Sequence, residues 1–119
     1  MATITAARVL QQVDTLLPNQ YTTAEKLRWL TQAEGFVRRE ILGERGELPA
    51  LQETAELCVC SPYEELYRHY VEAQIHYCNG EMARYNNAVT AWNNAFLTYR
   101  DYHTRTHLPA AAAAALRLR

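Results

Sequence analysis

Apolar residues recur at helical spacing along most of the chain, and proline and glycine mark the breaks between runs. The first run spans Thr5 to Leu17. Val9, Leu10, Val13, Leu16 and Leu17 share one face, and Thr5 is placed to cap it. Pro18-Asn19 closes the run, because proline cannot continue the ladder and disfavours helix at the residue before it. The second run opens at Thr22, with Glu25 three residues on. That is capping-box spacing, in which hydroxyl and carboxylate each take a backbone N–H. Leu27, Leu30, Ala33, Val37 and Ile41 form its stripe, and Gly43 is a natural terminator because it accepts positive φ.

Residues 44–60 lose this period. Gly46 and Pro49 punctuate them, residues 51–57 have the makings of a helical turn or two, and Cys58-Val59-Cys60 reads as extended. Ser61-Pro62-Tyr63-Glu64 then offers an N-cap serine, a proline at the first helical position and a glutamate at the third. A stripe follows through Tyr63, Leu66, Tyr70, Ala73, Tyr77, Glu81, Tyr85, Ala88, Trp92, Phe96, Tyr99 and His103, in steps of three or four. It predicts one long helix from about Pro62 to about Thr104, with any kink between Gly80 and Asn87. The weaker alternative is two helices meeting at Asn86-Asn87. Pro109 stops the pattern, and an alanine-rich tail ends in Leu116-Arg117-Leu118-Arg119.

The expected fold is therefore all-α. It is a small bundle of two shorter N-terminal helices, an irregular connector and one long C-terminal helix. Residues 1–109 form one domain, and residues 110–119 are a frayed or partly helical tail.

Composition narrows the function by exclusion. The 119 residues are 49% hydrophobic and 21% charged, too apolar for a disordered chain. Twelve basic and thirteen acidic side chains leave a charge of −1, spread evenly over both halves, so no nucleic-acid footprint is expected. Eleven of the twelve basic residues are arginine, which suits fixed contacts at interfaces but also follows from a GC-rich genome. A mean hydropathy of −0.35 with no apolar run near 18 residues predicts no membrane span. No basic and apolar leader is read at Met1-Ala2-Thr3-Ile4-Thr5.

Catalytic signals are missing. Cys58 and Cys60 make a C-x-C pair and Cys78 stands alone, which is not a zinc spacing. Glu65 and Glu72 precede His69 and His76 by four residues, whereas a carboxylate-bridged di-metal bundle uses Glu-x-x-His on each of two helices. Surface i,i+4 contacts are the expected outcome. No Gly-x-Ser-x-Gly or phosphate loop is present. No enzyme activity, cofactor or metal is expected.

Tyrosine stands out instead. Eight occur, seven of them between Tyr63 and Tyr102. Several must fill the core. Tyrosine is also enriched at protein interfaces, where the ring packs and the hydroxyl stays wet. A helix of about forty residues would span roughly 60 Å, and the radius of gyration expected for such a chain is only about 13–14 Å. Either the rod folds back or its overhang meets another subunit. Tyr63, Tyr67, Tyr70, Tyr85, Trp92 and Phe96 are the candidate interface residues, with their division between core and neighbour left open. Asn86, Asn87, Asn93 and Asn94 add adaptable hydrogen-bonding groups.

Several segments carry a resemblance. They are Pro62-Tyr63-Glu64-Glu65-Leu66-Tyr67, Glu72-Ala73-Gln74-Ile75, Asn79-Gly80-Glu81-Met82-Ala83-Arg84-Tyr85-Asn86-Asn87 and Arg105-Thr106-His107-Leu108-Pro109. Together with Tyr21-Thr22 and Glu25-Lys26-Leu27-Arg28-Trp29-Leu30, they resemble the head–tail connector (adaptor) proteins of tailed phages and prophages over about residues 5–109. Cys58-Val59-Cys60 and the alanine-rich tail depart from that pattern. The resemblance implies an all-α structural protein that forms a ring, typically of twelve copies, beneath the portal and extends the DNA exit channel. Its implied partners are further copies of itself, the portal and the downstream head-closure or tail proteins. Its implied location is the virion, after the host cytoplasm. The rivals from other classes are a cytosolic helical protein-binding module and a ligand- or metal-binding bundle using His69, His76 and Cys78.

Overall fold

A computed structural model describes residues 3–107. The order is β1 (Thr3–Thr5), α1 (Ala6–Leu16), α2 (Thr23–Glu40), β2 (Glu56–Cys60), α3 (Glu65–Cys78) and α4 (Met82–His107). Helices hold 66% of the structure, so the fold is mostly helical, with one small two-stranded sheet added. The tail expected at residues 110–119 lies outside the described residues.

Local chemistry explains the first two helices. The Thr5 hydroxyl accepts the Arg8 N–H at 3.3 Å, and the connector carbonyls of Ala55 and Glu53 accept the Ala6 and Ala7 N–H groups at 2.9 Å. Three of the four N–H groups that a helix start leaves without partners are thereby satisfied. The capping box of α2 forms in full between Thr22 and Glu25. At its far end Gly43 takes φ +72°, and the Glu44 N–H returns to the Arg38 carbonyl at 2.9 Å.

Residues 58–60 are extended, as their pattern suggests. Leu57 and Val59 point into the core while Cys58 and Cys60 are half-buried, which is the period of two expected of a strand. The partner strand β1 is an addition to the expected all-α plan. It runs antiparallel to β2, pairing Thr3 with Cys60 and Thr5 with Glu56, with an irregularity between these pairs.

The largest correction concerns the long helix. It is not continuous: it ends at Cys78 and restarts at Met82. Gly80 takes φ +76° between the two. The break is thus at Asn79–Glu81, at the near edge of the Gly80 to Asn87 range expected for a kink and not at Asn86-Asn87, and the chain folds back. Tyr77 meets Tyr85, Tyr70 meets Trp92 and Tyr63 meets Tyr102, so rising numbers on one side pair with falling numbers on the other. That is an antiparallel hairpin. The Ser61 cap is also not used: α3 begins at Glu65 after a turn, with no side-chain cap.

The core lies between α1, α2, β2 and α3. Val9 and Val13, Leu30, Ala33 and Val37, Leu57 and Val59, and Leu66, Val71 and Ile75 are among its buried residues from the four elements. α3 is the central helix, facing α1 and α2 on one side and α4 on the other. α4 is different. Its 26 residues span about 39 Å, and Tyr99 is its one buried residue.

Candidate functional site

The aromatic stripe closes on itself. The Tyr63 ring stacks on Tyr102 at 4.7 Å and lies 5.7 Å from Tyr99. Tyr70 meets Trp92 edge-on at 5.0 Å, Phe96 follows Trp92 at 5.3 Å, and Tyr77 meets Tyr85 at 5.3 Å. Phe36 of α2 reaches both Tyr70 and Trp92, tying the seam to the rest of the bundle. Aromatic pairs of this kind contribute about 0.5–1.5 kcal/mol each beyond the area they bury. The Tyr70 hydroxyl donates to the Gln32 side-chain oxygen at 2.9 Å, and burial raises its pKa.

Five of the six candidate interface residues, Tyr63, Tyr70, Tyr85, Trp92 and Phe96, therefore form the half-buried seam between α3 and α4 with Phe36. Tyr67 requires a correction. It is fully buried in the chain's own core and has no surface to offer a neighbour. Its hydroxyl donates to Glu34, itself fully buried, and accepts the Val59 N–H at 3.0 Å. The Glu34 carboxylate also accepts the Cys58 N–H at 2.9 Å and the Cys58 thiol at 3.1 Å, with Arg38 at 3.4 Å. This network ties α2, β2 and α3 together. Burial and then the nearby carboxylate push the Cys58 thiol up to about 12, and the Tyr67 hydroxyl well above its usual range. Neither is an activated nucleophile, since reactivity needs the thiolate. Sequence reasoning passed over Glu34, although it lies on the α2 stripe, four residues after Leu30 and three before Val37.

The polar pairs expected on α3 are rearranged. Arg68 takes both Glu72 at 3.0 Å and Glu65 at 3.6 Å. His76 turns instead to Glu81, its Nδ1 lying 2.9 Å from the carboxylate. Glu81 thus belongs to the hairpin turn, where Arg84 also reaches it at 3.3 Å. Burial, followed by the Arg68 charge, lowers the pKa of His69. No group of three or more His, Cys, Asp or Glu side chains among the described residues is arranged to hold a metal ion. The hollows along α2 and the 44–55 connector are open and mix Leu27, Leu48 and Leu51 with Arg28, Arg39 and Glu47.

The surface the seam leaves outside is the outer face of α4. Asn86, Thr90, Asn93, Asn94 and Leu97 project there, and Leu97 is 42% exposed. From Tyr85 to Tyr99 the chain carries no charged residue, with Arg84 and Arg100 at the two limits. A helix face that meets only water ordinarily carries charged or polar residues. This one pairs side-chain amides and hydroxyls with an exposed leucine, a composition suited to contact with protein.

Comparison of the chain with protein-family models, with curated proteins and with solved structures gives no match.

Proposed function

We propose that this chain is a structural protein of a tailed phage or prophage, a head–tail connector that assembles as a ring below the portal and lengthens the DNA exit channel. The observation that carries the reading is the charge-free stretch of the outer face of α4 from Asn86 to Thr98, on a helix about 39 Å long that the other described elements cover on one side only. A ring of identical subunits needs a heterologous contact between two different patches that closes on itself. The outer face of α4 supplies one of the two patches. The aromatic seam behind it, anchored on Phe36, keeps the helix rigid enough to hold a fixed angle to a neighbour.

The electrostatics suit the role. A channel wall that gripped phosphates would retard DNA, since each neutralised phosphate adds counterion-release free energy. A net charge of −1 avoids that. The resemblance of the 62–67, 72–75, 79–87 and 105–109 segments to connector proteins points the same way.

Light scattering coupled to size exclusion, run with and without a cognate portal protein, tests the proposal. A higher oligomer, or a complex that forms when portal is present, supports it. A concentration-independent dimer that ignores portal overturns it and favours a helical binding module.

A further inference from the structure

A contact that closes a ring joins two different patches, and the outer face of α4 is only one of them. The hollows beside α2 are the strongest candidate for the other. They share Gln32, Gly35, Arg39, Glu47 and Leu48, so they are one groove between α2 and the connector. Along α2 it runs from Ala24 to Arg39, about 22 Å. Leu27, Leu48 and Leu51 make its lining mostly apolar. Gly35 lies in the middle of it and lines both hollows. A glycine inside a helix costs stability relative to alanine. Gly35 has no positive φ, and nothing lies within 4 Å of an added Cβ. Nothing among the described residues therefore requires a glycine there. What its missing side chain provides is room in the groove, where a second backbone can approach closely.

We infer, resting on the assembly proposed above, that this groove is the second patch and receives the outer face of α4 from a neighbouring copy of the chain. The charge-free stretch from Asn86 to Thr98 is about 18 Å long, which the groove accommodates. Leu97, exposed in one chain, meets the leucines of the groove. Charges stand at the edges of both patches. Arg28, Arg39 and Glu47 flank the groove, and Arg84, Arg100 and Asp101 bound the α4 stretch, all of them exposed. Docking thus buries no lone charge, which would be costly. At the rim Glu47 faces an arginine of α4, and Arg28 faces Asp101. One chain cannot make this contact with itself. Phe36 of α2 packs on Trp92, and Leu97 lies on the opposite side of α4, so the outer face is turned away from its own groove. Each copy therefore gives one helix and receives another, head to tail.

Light scattering of full-length chains tests this under the condition in which the parent assembles, alone or with a cognate portal protein. Gly35→Trp fills the groove, and Ala50→Arg puts a charge on its opposite wall. Both positions have surface exposure, so the variants keep the fold, which circular dichroism checks. Each is expected to lose the parent's assembly, as Leu97→Glu does. Gly35→Trp keeps its α4 face and Leu97→Glu keeps its groove. Mixed in equal amounts, the two are expected to form one intact contact and stop at a pair of subunits, which neither forms alone. If Gly35→Trp and Ala50→Arg assemble like the parent while Leu97→Glu does not, the groove is overturned and the α4 surface stands. A mixture without pairs also overturns the groove, because the α4 face then meets a different surface. A parent that assembles in neither condition overturns both the groove and the connector reading.

Discussion

The Tyr67 hydroxyl donates to the Glu34 carboxylate across 33 positions of sequence, and both side chains are fully buried. A buried carboxylate is tolerated only where its oxygens are hydrogen-bonded. Here Tyr67, the Cys58 N–H and thiol, and Arg38 meet that need. Tyr67→Phe removes one donor and also leaves the buried Val59 N–H without an acceptor. It should destabilise the fold by about 2–3 kcal/mol in urea denaturation, the range for losing a hydrogen bond to a charged group. Tyr70→Phe, which loses an exposed bond to Gln32, should cost about 0.5–1 kcal/mol.

The same cluster sets an alkaline limit. Cys58 ionises near 9.0 when unfolded and near 12 when folded. Its contribution is therefore complete below pH 9 and is lost between pH 9 and 12, as the unfolded chain gives up its proton first. Unfolding free energy should fall across that window, and Cys58→Ser should flatten the fall. Thiol reactivity follows the same logic. At pH 8 iodoacetamide should label the exposed Cys78 well before Cys58, as peptide mass mapping of timed samples would show.

Gly35 and Gly80 should respond to alanine in opposite ways. Neither has a neighbouring atom within 4 Å of an added Cβ, so backbone conformation alone decides. Gly35 is inside α2, where alanine should stabilise by about 0.5–1 kcal/mol. Gly80 sits at φ +76° in the hairpin turn, where alanine should cost about 1–2 kcal/mol. Thermal melts of the two variants, moving in opposite directions, check this.

What was legible in the sequence was local. The Thr5 cap, the Thr22–Glu25 box and the extended Cys58–Cys60 segment each depend on residues a few positions apart. The stripe alone leaves the hairpin undecided for a specific reason. A stripe that would face a partner along one rod looks the same when the rod folds and the stripe meets itself. Tyr77 and Tyr85 keep helical spacing across the turn, so periodicity alone passes over Gly80. β1 was missed because three residues carry no period and their partner lies more than fifty positions away. Glu34 reads as a surface charge until Tyr67 and Cys58 are brought to it by the tertiary fold.

The central claim is that the chain assembles through the outer face of α4. Leu97→Glu places a charge in the middle of that face without touching the seam behind it, because Leu97 is exposed. The decisive measurement is the mass, by light scattering, of the complex each version forms with the portal. The parent should form a multi-subunit complex that persists as salt is raised, since the face between Arg84 and Arg100 holds no charges to screen. Leu97→Glu should stay monomeric with an unchanged circular dichroism spectrum. An assembly of equal mass from both chains would contradict the account.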